Sequence, residues 1–389
     1  MTTLSSTAVS VRSLLVILPA PPDAGSPPPG TVIAGLPLVR RIVLAAERAG
    51  FERILVHPRA CPEPHLLAGT AAIRLDADAP VESRARLVLL PVNVLPQARW
   101  LRALREMPLD PDTLAVDPSL TAVVESAGID ELLRSAGQAA GVEDLIAALS
   151  RRLARAAEAG DPAGRFALGA AAGARAAEDW LLRSLVKDTE GFMSRHVERR
   201  ISLAITRQLV DTRITPNEMT LVSLTIGLLG APFFLSAEPL HQLVGSLLFL
   251  THSILDGCDG ELARLKFQES PTGARLDFWG DNLVHVAVFG CMAVGWTMAA
   301  ASLWPLCLGA LAITGTAASA YLVAHRDGTA ATAGPPGRLA DAVANRDFIY
   351  LVLLLACFGR AHWFLIPVAL GTPIFMMLVR WGAGRRRTA

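Results

Sequence analysis

The second half of this chain contains six apolar segments, near residues 216–236, 239–266, 272–298, 302–324, 346–360 and 362–380. Each approaches the ~20 residues that an α-helix needs to cross hydrocarbon, the fifth being the shortest. Such a row predicts a membrane domain. Composition agrees, since 52% of residues are hydrophobic and only 18% are charged, against roughly 25% charged in an ordinary soluble domain. The basic residues set the orientation: Arg213, Lys266, Arg326, Arg338, Arg346 and Arg385 to Arg387 flank one side, and little beyond Arg360 flanks the other. Both termini are therefore expected on the cytoplasmic side of an inner or cell membrane. A net charge of +1 argues against nucleic acid as a partner. The five cysteines, scattered without a Cys-x2-Cys pair, argue against a zinc site and a disulfide framework.

Ahead of the spans the pattern changes. Residues 1 to about 185 alternate short β-type runs (Leu14–Leu18, Arg53–Val56, Arg86–Leu90) with helical ones such as Leu38–Ala49, which predicts an α/β domain with a mainly parallel sheet. We divide the chain into an α/β domain (1–143), a helical connector (144–189) and an all-α membrane domain (190–389). Ser194–Leu209 puts Val197, Ile201, Ala204 and Ile205 on one face and Arg195, Arg199, Arg200 and Arg207 mostly elsewhere. That pattern predicts a juxtamembrane amphipathic helix lying in the membrane interface, with a soluble amphipathic helix as the lesser alternative. Asp327–Ala344, rich in Gly, Ala and Pro, reads as a long cytoplasmic loop.

Charged residues within spans are expensive and mark function, so the informative segment runs from Asp256 to Asp281. Asp256, Asp259 and Ala263 lie on one helix face, and Gly273, Asp277 and Asp281 on one face of the next, joined by a turn at Ser270-Pro-Thr. Four carboxylates gathered at one end of two spans repel one another unless cations sit among them. Oxygen-only ligands favour two Mg2+ or Mn2+ ions, which characteristically clamp phosphate oxygens. Asp281, at the end of its row, is the candidate general base. Gly260 and Ala263 leave room for a nucleotide against the helix, and Arg264 is placed to contact its phosphates.

The pattern Asp-x2-Asp-Gly-x2-Ala-Arg-x8-Gly-x3-Asp-x3-Asp resembles, at every defined position, the signature of the CDP-alcohol phosphotransferase (phosphatidyltransferase) family. The resemblance covers about residues 190–389. It implies a six-helix membrane enzyme, working as a homodimer among membrane lipids, that moves a substituted phosphoryl group from a CDP-alcohol to an acceptor hydroxyl and releases CMP. It further implies that Asp256, Asp259, Asp277 and Asp281 bind two divalent metals, with Asp281 also the base, and that Gly260, Ala263, Arg264 and Gly273 hold the CDP moiety. Thr215-Pro-Asn-Glu-Met-Thr220 resembles the family's Pro-Asn-x2-Thr element, which puts Asn217 and Thr220 near the cytidine; locally it is a helix start with Pro in its first turn. Arg275, Arg338 and Arg346 are candidates for a phosphate on the acceptor, although positive-inside topology explains them as well. His285 reads as a packed histidine.

Gly35 to Val56 resembles the segment after the nucleotide loop of sugar-phosphate nucleotidyltransferases, a likeness extending over roughly residues 11–130. The segment Leu18 to Gly30 is rich in prolines that offer no amide donors, and Asn93 stands where a metal-binding aspartate is expected. The domain therefore reads as degenerate and inactive. Its place before a CDP-alcohol phosphotransferase resembles the bifunctional enzymes that make CDP-inositol and di-inositol phosphate phosphate, which points to inositol phosphates, with CDP-diacylglycerol still open as donor. The readings from other classes are an inactive membrane scaffold and a divalent-cation transporter.

Overall fold

Leu14 to Leu18 is an unbroken apolar run, and a strand of that kind needs cover on both faces. It forms β1 (Arg12–Leu18), whose residues Leu14 to Leu18 are at most 1% exposed. In this computed structural model, which describes residues 12–75, 85–155, 161–170, 172–186, 193–325 and 348–373, the chain divides into two units, Met1–Arg183 and Ser184–Ala389.

The first unit is α/β, as the alternating pattern predicts. After β1 come the hairpin strands β2 (Val32–Ile33) and β3 (Leu36–Pro37), helix α1 (Leu38–Ala49), β4 (Arg53–Val56) and β5 (Ala72–Arg74). There follow β6 (Ala85–Pro91), β7 (Val94–Pro96), α2 (Ala98–Glu106), β8 (Thr113–Val116), β9 (Ala122–Ser126) and α3 (Ile129–Gln138). The unit closes with α4 (Val142–Ser150), β10 (Ala154–Arg155), β11 (Arg165–Ala167) and α5 (Ala174–Arg183). Helix α1 stops where Gly50 takes φ 83°, its N–H bonding to the carbonyls of Ala46 and Glu47, a left-handed termination that glycine allows without strain. Seven strands form one sheet in the order β10-β8-β9-β6-β1-β4-β5. Strand β1 is parallel to both neighbours, with Val16 opposite Leu55 and Leu89. Strand β9 runs antiparallel to both β6 and β8, while the other strands of this sheet share one direction, so the sheet is mainly parallel, as the alternating runs predict.

Residues 144–183, expected as a connector, belong to this unit instead. Leu145, Ile146 and Leu149 of α4 join the core with Leu87 and Val124, β10 extends the sheet beside β8, and β11 pairs with β7. The helical pattern at 142–150 carries an apolar stripe, and an apolar stripe seeks the nearest open sheet face.

The second unit is helical. It comprises α6 (Arg199–Leu209), α7 (Pro216–Gly230), α8 (Pro239–Lys266), α9 (Pro271–Ala300), α10 (Trp304–Ala324) and α11 (Phe348–Cys357). Among the described residues, three helical stretches are long and apolar enough to cross a membrane: Pro216–Leu235, Pro271–Ala300 and Trp304–Leu322. The loop Asp327–Ala344 and the end of the sixth apolar segment lie outside the described residues. Phe249, Val288, Phe289, Met292, Val352 and Phe364 fill the core between the helices. Helices α7 and α8 approach closely because both are small at the contact: a Cβ on Gly245 would stand 3.0 Å from that of Phe233 and 3.2 Å from the Gly230 carbonyl.

One buried polar group in the first unit makes its stability depend on acid. His57 is 4% exposed; its Nδ1 accepts the Arg59 N–H at 3.1 Å, which leaves Nε2 to donate to the Gly137 carbonyl at 3.2 Å. Burial is the main cause holding its pKa below the ordinary 6.5. The unfolded chain then takes up the proton more readily than the folded one, so stability is present above pH ~6.5 and lost below it. The thermal midpoint should fall between pH 7.5 and 5.5 by less in His57→Gln than in wild type; parallel falls would rule this out.

Candidate active site

The site is built where α8 ends and α9 begins. Helix α8 stops at Phe267, which adopts a left-handed conformation. Ser270 caps α9 by accepting the Gly273 N–H at 3.0 Å, with Pro271 in the first turn. The turn is therefore four residues long, and the acidic faces of the two helices meet across it.

Asp256 and Asp259 of α8 and Asp277 of α9 each offer a carboxylate oxygen, and the three oxygens lie within 4.8 Å of one another. Asp256 and Asp259 are 5% and 4% exposed. Two unit charges 4 Å apart repel by about 4 kcal/mol at the effective dielectric of a protein surface, so such a set is stable as anions only with compensating charge. All three donors are carboxylate oxygens around a small opening, which suits a hard divalent cation and does not discriminate Mg2+ from Mn2+. Thr220 Oγ1 donates to Asp259 Oδ2, fixing one carboxylate against α7.

Asp281 stands apart from these three, one turn further along α9. Its Oδ1 lies 3.4 Å from His252 Nε2 and its Oδ2 3.9 Å from His285 Nδ1. His252 Nδ1 is 3.0 Å from the Ser223 carbonyl, which can only accept, so that nitrogen carries a hydrogen. His285 packs against Phe249, Phe289 and Phe348.

A cavity of about 230 Å³ opens beside the acidic cluster, lined by Asp259, Asp277, Asn217, Thr220, Gly260, Ala263, Arg264 and Gly273, with Gln268 and Glu269 at the turn. All six residues singled out in the sequence for the nucleotide thus share one wall. Pro216 and Asn217 begin α7, where Thr215 accepts the Glu218 N–H and Glu218 accepts that of Thr215 in a reciprocal cap. A Cβ on Gly273 would stand 2.8 Å from Asn217 Oδ1, so a side chain there would displace that amide. Arg275 is exposed and is not among the lining residues. Arg338 and Arg346 lie outside the described residues. A second cavity, about 460 Å³, is bordered by Asp281, Asn282, His285, Thr316 and Ser319 among Phe278, Phe289, Phe348 and Phe364.

Residues 213–378 match the CDP-alcohol phosphatidyltransferase family. A bifunctional IPC transferase and DIPP synthase of Rubrobacter xylanophilus is 38% identical over 185 residues, 46% of this chain and 39% of that protein. A CDP-diacylglycerol--serine O-phosphatidyltransferase of Mycobacterium leprae is 30% identical over 111 residues, 26% of this chain and 35% of that protein. The chain thus spans less than two fifths of either relative. The crystal structure of Mycobacterium tuberculosis phosphatidylinositol phosphate synthase with CDP-DAG bound aligns at a TM-score of 0.34 and 18% identity, over 46% of this chain and 94% of that one. The matched domain contains both cavities and the whole acidic cluster.

Two residues passed over in the sequence are prominent here: His252, beside Asp281, and Glu261, fully buried on the opposite flank of α8. Both are polar residues inside an apolar helix, a signal that was available. Removing one charge of the cluster should weaken cation binding. Asp256→Asn is expected to lower the affinity for Mn2+ at least tenfold, within the range reported for disrupting a metal's ligand environment, as read by electron paramagnetic resonance of free Mn2+; unchanged affinity would remove Asp256 from the cation site.

Proposed function

We propose that this protein transfers a substituted phosphoryl group from a CDP-alcohol to an acceptor hydroxyl and releases CMP, in phospholipid or inositol-phosphate-type synthesis. The observation carrying this reading is the convergence of Asp256, Asp259 and Asp277 within 4.8 Å of one another, beside a cavity that Asp259 and Asp277 line together with Asn217, Thr220, Gly260, Ala263, Arg264 and Gly273. In this reading the protein sits in the membrane as six spans with its site on the cytoplasmic side, working as a dimer.

Each residue then has a task. Asp256, Asp259, Asp277 and Asp281 hold two divalent ions, which when bound neutralise charge on the phosphate oxygens. Asn217 and Thr220 bound the cytidine end, while Gly260, Ala263 and Gly273 keep the wall low enough for the nucleotide to lie against two helices. Arg264 pairs with its phosphates. Asp281 takes the proton of the acceptor hydroxyl as that oxygen forms its bond to phosphorus and the bond to the CMP oxygen breaks. The acceptor enters from the second cavity, which Asp281 borders.

The N-terminal domain, in the same reading, is not a working nucleotidyltransferase. Asn93 is buried, its Nδ2 donating to the Leu168 carbonyl at 3.0 Å and its backbone carbonyl accepting the Leu168 N–H at 2.8 Å. The proline-rich loop is tied in the same way, Ala24 accepting the Ala170 N–H at 3.1 Å. The Asn93 amide nitrogen and the loop carbonyl of Ala24 are thus engaged with the chain itself.

The test is CMP release by the full chain in lipid nanodiscs with Mg2+, supplying CDP-inositol or CDP-diacylglycerol against polyols and polyol phosphates. Asp281→Asn should lower kcat by about 10²–10⁴-fold, the usual contribution of a positioned general base. No CMP from any pair, or full activity in Asp281→Asn, would overturn the reaction or the assigned base respectively.

A further inference from the structure

Glu261 has no part in the chemistry above, yet its side chain has no solvent exposure. A carboxylate withdrawn from water persists only when paired and hydrogen-bonded. Every partner described for it comes from α6. Arg199 Nη1 donates to Oε1 at 2.8 Å, Ser202 Oγ to the same oxygen at 2.7 Å, and Thr206 Oγ1 to Oε2 at 2.6 Å. Arg199, Ser202 and Thr206 recur at i, i+3 and i+7, so a single face of α6 is read by one carboxylate. Three directional bonds fix both the rotation of α6 and its axial position against α8, which apolar packing alone would leave free to slide. A second fastening lies one turn beyond: Lys266 Nζ donates to the carbonyls of Thr212 and Ile214 at 2.9 and 2.8 Å. Those carbonyls belong to the short segment that runs from α6 into Thr215, Pro216 and Asn217.

We infer that Glu261 is a positioning residue for the nucleotide cavity: it locks α6 to the helix carrying Asp256 and Asp259, so that the segment between α6 and α7 delivers Asn217 and Thr220 to the cavity wall. The inference rests on reading that cavity as the CDP site. A buried ion pair is a poor source of stability compared with an apolar pair of equal volume; what it supplies here is one defined register. Glu261 acts through Asn217 and Thr220 and touches no substrate.

The experiment compares wild type, Glu261→Gln, Arg199→Gln and the double variant as full chains in nanodiscs. In Glu261→Gln the KM for the CDP donor is expected to rise about tenfold while kcat stays within about threefold, the signature of lost ground-state binding, and Mn2+ affinity is expected to hold within about twofold. Because Glu261 and Arg199 act as one unit, the double variant should be no worse than the poorer single. Thr206→Val, which removes one of the three bonds, carries the same test with a smaller rise in KM should Glu261→Gln not fold. A lowered thermal midpoint with KM unchanged, or additive losses in the double variant, would overturn the proposal. Hydrogen exchange separates this from the reaction itself. If wild type releases no CMP, the functional reading fails, and the lock is then judged by amides 199–215: faster exchange in Glu261→Gln supports it, and unchanged protection overturns it.

Discussion

Mutual repulsion among carboxylates is the constraint around which the second unit is arranged. Asp256, Asp259 and Asp277 come within 4.8 Å of one another on two helices, and a helix pair flanked by apolar surface offers little dielectric relief. The acidic side chains nearby are sorted by their neighbours. Glu261 faces away and takes Arg199; Asp281 sits between two histidines; the remaining three converge in a carboxylate cluster that suits a hard cation. The four-residue turn and the Ser270 cap then serve a single purpose, to hold two repelling faces in register when their charges alone would part them.

The first unit follows a different logic, that of apolar burial. Its central strand is covered on both faces, and the antiparallel β9 lets the sheet continue beyond β6 to β8 and β10. The segment 165–170 closes over the ends of the strands through Asn93 and Ala24. The Asn93 side-chain amide donates to the Leu168 carbonyl, a bond that a charged aspartate, acceptor-only, could not make.

Much of this was legible from spacing. The period of Asp256, Asp259 and Ala263, and of Gly273 and Asp277, fixes which residues share a helix face, and Pro271 after Ser270 marks where one helix ends and the next begins. The cavity wall follows from the same arithmetic once the turn is short. What spacing could not supply is contact between elements far apart in sequence. Glu261 with Arg199, His252 with Ser223, and α4 with the sheet all depend on how helices and strands pack, and a pattern read along one element carries no partner from another. The place of Asp281 is the instructive case, because i, i+4 and i+8 put it in line with Asp277 while the bend of packing gives it different company. The connector failed for a related reason: an apolar stripe announces that a helix is buried without saying against what.

The lengths of α8 and α9 have one more consequence. At 1.5 Å per residue their 28 and 30 residues make rods about 42 and 45 Å long, against a hydrocarbon core of about 30 Å. Their charged residues collect at the end bearing the turn, so if both helices cross the bilayer as proposed, a surplus of about two to three turns of helix would stand as a stalk in the headgroup layer. A water-soluble nucleotide would then dock at the height of the lipid phosphates and need not enter the oil, while a lipid alcohol could meet it there by lateral diffusion. The height of the stalk, more than the shape of the pocket, would let one site draw reactants from two phases.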